Sequence, residues 1–136
     1  MALDSINAGW KPKARNSFAT LIGPILERRE DGQRVFGLMA EPQHGNYIGV
    51  VHGGVLMALA DQALGEMALD AIDGKRCVTI QLNSHFLALA KVGEFIEARG
   101  EITRLTRSMI FMRGMLSVEG REIAACDGIW KILNPP

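Results

Sequence analysis

The sequence predicts an α+β domain in which one long central helix is wrapped by an antiparallel sheet. Three observations predict it. Residues 53–72 hold the only long helical pattern, apolar almost all round, and a helix with so little polar surface has to be covered on most sides. From Cys77 to Leu133 the chain reads as successive strands, punctuated by Gly93, by Thr106-Arg107-Ser108 and by Glu119-Gly120. Ahead of the helix, Asp31-Gly32 divides two short runs, and Asp-Gly is a favoured dipeptide of the type I′ hairpin turn. A single apolar helix followed by enough strand to enclose it defines the class.

Taken in order, residues 1–13 carry Trp10, Pro12 and scattered polar groups and read as an irregular arm, and residues 14–22 read as a short helix before Gly23-Pro24. Residues 1–24 thus precede a single domain, 25–136. Ile25–Glu30 and Gln33–Ala40 form the hairpin, and Glu41–Val51 is a polar, glycine-rich loop delivering the chain to the helix. The helix runs from about Gly53 to Ile72, and Asp73-Gly74 ends it as a C-terminal glycine does. At roughly 100° per residue, Gln62, Glu66 and Asp70 share one narrow polar stripe. Asp61 lies outside that stripe, among Met57, Ala58, Gly65, Ala68 and Ile72. Cys77–Phe86 alternates, with Val78, Ile80, Leu82 and Phe86 on one side and Thr79, Gln81, Asn83 and His85 on the other. Ser84 falls on the apolar parity. Further strands are expected from Gly93 to about Thr103, Met109 to Val118 and Ile123 to Leu133.

Composition excludes several classes. Fifteen basic residues balance fifteen acidic ones, so nothing points to nucleic acid or an anionic membrane surface. No apolar run approaches the roughly 20 residues that span a bilayer. The N-terminus lacks a basic segment followed by an apolar one, so a secretory signal is not expected. Cys77 and Cys126 are far apart and form no CxxC or Cys/His metal spacing. A reduced, cytoplasmic protein without a metal is the expectation, its seven methionines serving as core filler.

The candidate chemistry lies between His44 and Asp61. His52, Gly53 and Gly54 fall where loop meets helix, and the first N–H groups of a helix have no intrahelical partner. Glycine amides there can hold a developing negative charge. Asp61 is a carboxylate on a face of mostly small apolar residues, where an unpaired charge costs on the order of several kcal/mol. It needs a partner or a task, and activating water or attacking an electrophile is such a task. From Gly53 to Asp61, however, the helix rises about 12 Å, and a reacting carbonyl has to sit about 3 Å from each group. If both serve one reaction they come from two chains, most simply a two-fold dimer with two shared sites. No GxSxG, P-loop or GxGxxG is present, so neither an α/β-hydrolase nor a nucleotide-binding site is expected.

The stretch Asn46-Tyr-Ile-Gly-Val-Val-His52-Gly53-Gly54, then Leu59-Ala60-Asp61-Gln62-Ala63, supported by Thr79-Ile-Gln-Leu-Asn83 and Ala90-Lys-Val-Gly93-Glu, resembles the hotdog-fold acyl-CoA thioesterases of the phenylacetic acid degradation branch. The resemblance spans roughly residues 25–133. It implies hydrolysis of a small or medium acyl-CoA, with coenzyme A as part of the substrate and no separate cofactor. It implies that the Gly53 N–H polarises the thioester carbonyl and that Asn46 orients that carbonyl or the attacking water. Asp61 of the opposite subunit would be base or nucleophile, with Thr79 holding the water. It also implies a homodimer assembled further into a homotetramer. The chain has Gln62 where the family usually has threonine or serine. Other readings of single residues stay open: His52 as a loop brace, Asn46 as a stabiliser of its own turn, Thr79 as a plain strand residue. At the level of function, a hotdog-fold hydratase or dehydratase and a non-catalytic acyl-CoA-binding module stay open too. His44 and His85 have no partner that the sequence names. Lys75, Arg76, Lys91, Arg104 and Arg107 are the basic residues near strand ends, among which sequence does not choose a holder for the CoA phosphates.

Overall fold

The computed structural model describes residues 9–12 and 17–133. In chain order the elements are β1 (Lys11–Pro12), α1 (Phe18–Ile22), β2 (Leu26–Glu30), β3 (Gln33–Met39), a 3-10 turn (Pro42–His44), α2 (Gly53–Asp70), β4 (Arg76–Phe86), β5 (Phe95–Leu105), β6 (Met109–Val118) and β7 (Arg121–Leu133). The strands make one seven-stranded sheet in the order β1-β2-β3-β5-β6-β7-β4, with every neighbouring pair antiparallel. The α+β expectation is met. The chain leaves β3, crosses the sheet as α2, and descends as β4 on the far edge before returning beside β3. That path lays the helix over one face of the sheet and, among the described residues, leaves β4 paired on one side only.

Local chemistry explains the turns. Asp31 and Gly32 sit at φ 51° and 79°, and Glu119 and Gly120 at 49° and 80°, the paired left-handed conformation of a type I′ turn. Residues 1–8 and 13 of the expected arm and 14–16 of the expected first helix lie outside the described residues, and α1 spans Phe18–Ile22 behind its N-cap Ser17. Lys11 and Pro12 of the expected irregular arm pair with Leu26 and Glu27 instead. At its C-terminus α2 stops two residues early, because Ala71 and Ile72 donate to carbonyls three residues back and Asp73 and Gly74 both turn left-handed (φ 46° and 79°). β5 continues past Thr103 to Leu105 through a register shift between Ile102 and Arg104.

The core lies between α2 and the sheet: Leu56, Leu59, Ala60, Ala63, Leu64, Met67 and Ala68 of the helix are buried against Phe36, Leu38, Ile96, Ile110, Met112, Leu116 and Trp130. Helix and sheet meet closely at one place. Gly100 and Gly114 are cross-strand partners, and a Cβ built on either would come within 2.3 and 2.9 Å of the Leu64 side chain. Two absent side chains make the notch that Leu64 fills. The expected polar stripe is covered in part, with Glu66 buried and Asp70 exposed. Arg34 of β3 reaches over it, with its Nε and Nη2 donating to the Asp70 carboxylate at 2.8 Å each, Nη1 to Glu27 at 2.8 Å and Nη2 to Glu66 at 3.4 Å. Glu66, only 4% exposed, therefore sits beside a guanidinium.

One expectation fails, and it matters for the site. Strict alternation along β4 puts Thr79 opposite Phe86 across the strand. The pairing with β7 runs Thr79↔Trp130 and then Gln81↔Ile129, so Ile80 is an extra residue in a β-bulge. A bulge reverses the parity on its two sides. Before it, Cys77 and Thr79 face the helix; after it, Leu82 and Phe86 do. Val78 and Ile80 are left 45% and 50% exposed along the open edge.

Candidate active site

The site begins with the loop from His44 to His52. Asn46 closes it, its Oδ1 accepting from the N–H groups of Ile48 (3.0 Å) and Val50 (3.1 Å). The Asn46 N–H donates to the Val50 carbonyl at 2.8 Å, and Gly49 takes φ 80° to complete the turn. The carbonyl end of this side chain is thus committed to the loop, and its NH₂ is the part that no described residue engages. Tyr47 and Ile48 at the tip are exposed.

His52 is the N-cap of α2. Its Nδ1 accepts from the Gly54 N–H at 2.9 Å, which satisfies one of the free donors of the first turn. The Val55 and Leu56 N–H groups bond the His52 carbonyl. Among the described residues, no acceptor takes the remaining donor, the N–H of Gly53. A Cβ on Gly53 would meet the Phe86 ring at 3.2 Å, so glycine leaves that N–H approachable beside an aromatic edge.

Asp61, two turns further along α2, is half-buried. The bulge at Ile80 turns Thr79 toward it, and Thr79 Oγ1 donates to Asp61 Oδ1 at 2.6 Å. The isolated carboxylate therefore has a side-chain partner on β4, and the charge-assisted bond fixes one of its oxygens while the other stays available. One turn on, Gly65 admits the indole edge of Trp130, whose Nε1 would lie 3.3 Å from a Cβ there. Trp130 is itself the cross-strand partner of Thr79. The structure thus brings Asp61 and Thr79 together at one end of β4, and His52, Gly53 and the Asn46 loop together at the other. Within one chain it does not unite the two groups.

Other chemistries find no support in the geometry. Burial and the nearby Glu66 carboxylate push the Cys77 thiol up, and burial with Asp127 pushes Cys126 up to about 11, so neither thiol is held as a thiolate nucleophile. Among the described residues, no group of three or more His, Cys, Asp or Glu is placed to hold a metal ion, and no helix is long and apolar enough to cross a membrane. His44, for which the sequence names no partner, is 2% exposed at the root of the loop.

A long helix against one face of an antiparallel sheet, with two glycines opening the helix after a histidine N-cap and an acid two turns in, is the architecture of a hotdog domain. Residues 48–125 match the thioesterase superfamily. The chain is 32% identical over 132 residues, 94% of its length, to PA0474 of Pseudomonas aeruginosa, a protein provisionally named an esterase, and covers 98% of it. It is 31% identical over 101 residues to human acyl-coenzyme A thioesterase 13, covering 73% of this chain and 71% of that one. Among solved structures, BH2602 of Bacillus halodurans with CoA superposes with a TM-score of 0.82 at 28% identity, over 90% of this chain and 82% of that one. A mutant form of the phenylacetic acid degradation protein PaaI from Thermus thermophilus superposes with a TM-score of 0.74 at 25% identity, over 85% and 98% of the two chains. The chain belongs to the thioesterase superfamily, and it is a thioester hydrolase whose structural relatives include the phenylacetic acid degradation thioesterases.

Proposed function

We propose that this protein hydrolyses small or medium acyl-CoA thioesters to the free acid and CoA, at two sites shared across a homodimer, with Asp61 as general base or nucleophile. One observation supports the reading: Asp61 with Thr79, and Gly53 with the Asn46 loop, lie toward opposite ends of the same open-edged strand. Asp61 bonds Thr79 near the start of β4, and Gly53 lies against Phe86 at its end. With one residue of the bulge discounted, those ends are about 20 Å apart at 3.3 Å per residue. Antiparallel pairing of β4 with a second β4 about a two-fold axis sets each Thr79 end beside the partner's Phe86 end. Asp61 of one chain then shares a site with the Gly53 N–H of the other, and the exposed edge no longer presents unpaired backbone groups.

In such a site the Gly53 N–H donates to the thioester oxygen as negative charge gathers there. Asp61 either takes a proton from water as that water attacks the carbonyl carbon, or attacks it directly to give an anhydride that water then opens. In both routes the C–S bond breaks and CoA departs as a thiolate, which needs no acid near neutral pH. Asn46 orients the carbonyl or the water through its NH₂, and His52 braces the helix start. The CoA bound to BH2602 and the name of the human relative support acyl-CoA as the substrate class. Association of two dimers into a homotetramer belongs to the same reading.

The test combines an acyl-CoA panel of short, long and aromatic chains, read by thiol release, with co-expressed, differently tagged subunits. Asp61→Asn is expected to lower kcat by about 10²-fold or more, the scale of lost acid–base catalysis, with KM little changed. Gly53→Val is expected to abolish turnover. A mixed dimer of the two variants puts both lesions in one site and none in the other, so it recovers about half the wild-type rate. Mixing that rescues nothing, or an active monomer in light scattering, overturns the shared site.

A further inference from the structure

The loop that carries Asn46 and leads to Gly53 is poorly buried over much of its length, with Tyr47 98% and Ile48 65% exposed, so packing does not fix it. His44, at its root, is 2% exposed and held at both ring nitrogens. The Glu41 N–H donates to Nδ1 at 2.9 Å, and Nε2 meets the carbonyl oxygen of Ile22, the last residue of α1. A backbone N–H only donates and a carbonyl only accepts, so these partners set the proton on Nε2 and leave Nδ1 bare. The backbone of the same residue reaches the other way, its carbonyl accepting the His52 N–H at 2.9 Å. Beyond it Gly45 bridges Val51 and Asn46 bonds Val50, which closes the loop above the clamp. One residue thus ties α1, the 3-10 turn and the N-cap of α2 to one another.

We infer that His44 is the positioning residue of the reaction loop: its neutral imidazole, pinned between Ile22 and Glu41, holds His52 and so fixes where the Gly53 N–H points. The catalytic value of the loop rests on the function proposed above, whereas the clamp is tested without turnover. An apolar replacement leaves the Glu41 N–H and the Ile22 carbonyl unpaired. Asparagine sets an amide oxygen near the place of Nδ1 and so retains the bond from Glu41.

Three readouts are compared on the full chain. Long-range ¹H–¹⁵N spectra of the wild type are expected to show His44 as the neutral Nε2–H tautomer near pH 7; the Nδ1–H form or a doubly protonated ring overturns the assignment. In His44→Leu the His52 amide is expected to exchange at least about tenfold faster while the Leu64 amide in mid-helix keeps its protection, the signature of local opening. The kcat for the best acyl-CoA falls about tenfold or more in that variant, at temperatures well below its unfolding transition, and His44→Asn recovers part of it. Unchanged His52 exchange in His44→Leu, or a loss spread equally over His52 and Leu64, overturns the positioning role. If His44→Leu does not fold, His44→Asn and the wild-type tautomer carry the test. A wild type inactive on every acyl-CoA, yet with the expected tautomer and exchange, supports the clamp and sinks the acyl-CoA reading alone.

Discussion

Thr79→Val removes one hydroxyl and almost no volume, which isolates the bond to Asp61. At 2.6 Å, an O–H donor to a carboxylate is a charge-assisted hydrogen bond worth about 1.5–3 kcal/mol where water is excluded. Thr79 is exposed and Asp61 half-buried, so in the resting protein water replaces the hydroxyl and stability changes by only about 0.5 kcal/mol. For a domain of this size that is a shift in Tm of about 2 °C. Turnover responds differently. On the proposed mechanism the bond holds one carboxylate oxygen on the sheet side and leaves the other to act, and bound substrate keeps bulk solvent from replacing the hydroxyl. At 1.36 kcal/mol per factor of ten, the same bond is worth about 10- to 100-fold in kcat. Thr79→Ser keeps the donor and is expected to stay within about threefold of wild type on the scale of a conserved hydrogen bond. The assay is steady-state thiol release at saturating acyl-CoA beside a thermal melt of each variant. Thr79→Val within twofold of wild type, or Thr79→Ser as impaired as Thr79→Val, refutes the reasoning.

Two predictions concern the frame that holds the site. The hydrogen bond from Arg99, aided by its charge and that of Arg28, holds the Glu30 carboxyl below its ordinary value despite some opposing desolvation. A carboxyl lowered in the folded state contributes stability above its unfolded pKa of about 4.3 and loses it as pH falls through the folded value. Melts from pH 7 to pH 2 should therefore show wild type above Glu30→Gln at neutral pH, converging in acid, with a smaller gap in high salt; a gap that widens in acid contradicts the assignment. Gly100→Ala drives a Cβ to 2.3 Å from Leu64 Cδ2 and 3.0 Å from the Arg113 carbonyl oxygen. Overpacking of this kind costs about 1–3 kcal/mol, a fall in Tm of roughly 4–10 °C, partly relieved by Leu64→Val; an unchanged melt means that the notch is not tight.

Elements with strong local signals were legible in the sequence. Asp31-Gly32 and Glu119-Gly120 name their turns because few dipeptides accept two positive φ angles, and α2 announces itself by length and by the breadth of its apolar surface. The Gly53-to-Asp61 spacing was legible for the same reason, since helix rise is nearly invariant. The bulge was not. Val78 and Ile80 are apolar on the open edge, so hydrophobic alternation runs on unbroken across the place where the two faces exchange, and only Ser84 on the apolar parity hints at it. That slip alone brings Thr79 to Asp61, a contact that side-chain pattern cannot reveal. The partners of His44 were not legible because both are backbone groups, one of them 22 residues away, and backbone partners leave no mark on composition. Arg34, too, reads as an ordinary polar strand residue until the fold carries α2 over β3.

The glycine notch has a consequence for how this protein can change over time. Leu64 seated between Gly100 and Gly114 fixes the helix to the sheet three residues after Asp61, within the same turn, so the depth of the carboxylate is set by close contact with the sheet backbone. The loop around Tyr47 and Ile48 and the segment through Leu87 and Leu89 carry large exposed side chains and bear on nothing that the notch controls. Mutations there can drift without moving the acid. The scaffold thus separates the depth of Asp61, set by the sheet, from exposed side chains such as Tyr47, Ile48, Leu87 and Leu89 that can vary without shifting it. Exchange of the whole loop, by contrast, would also displace Asn46 and the approach to Gly53.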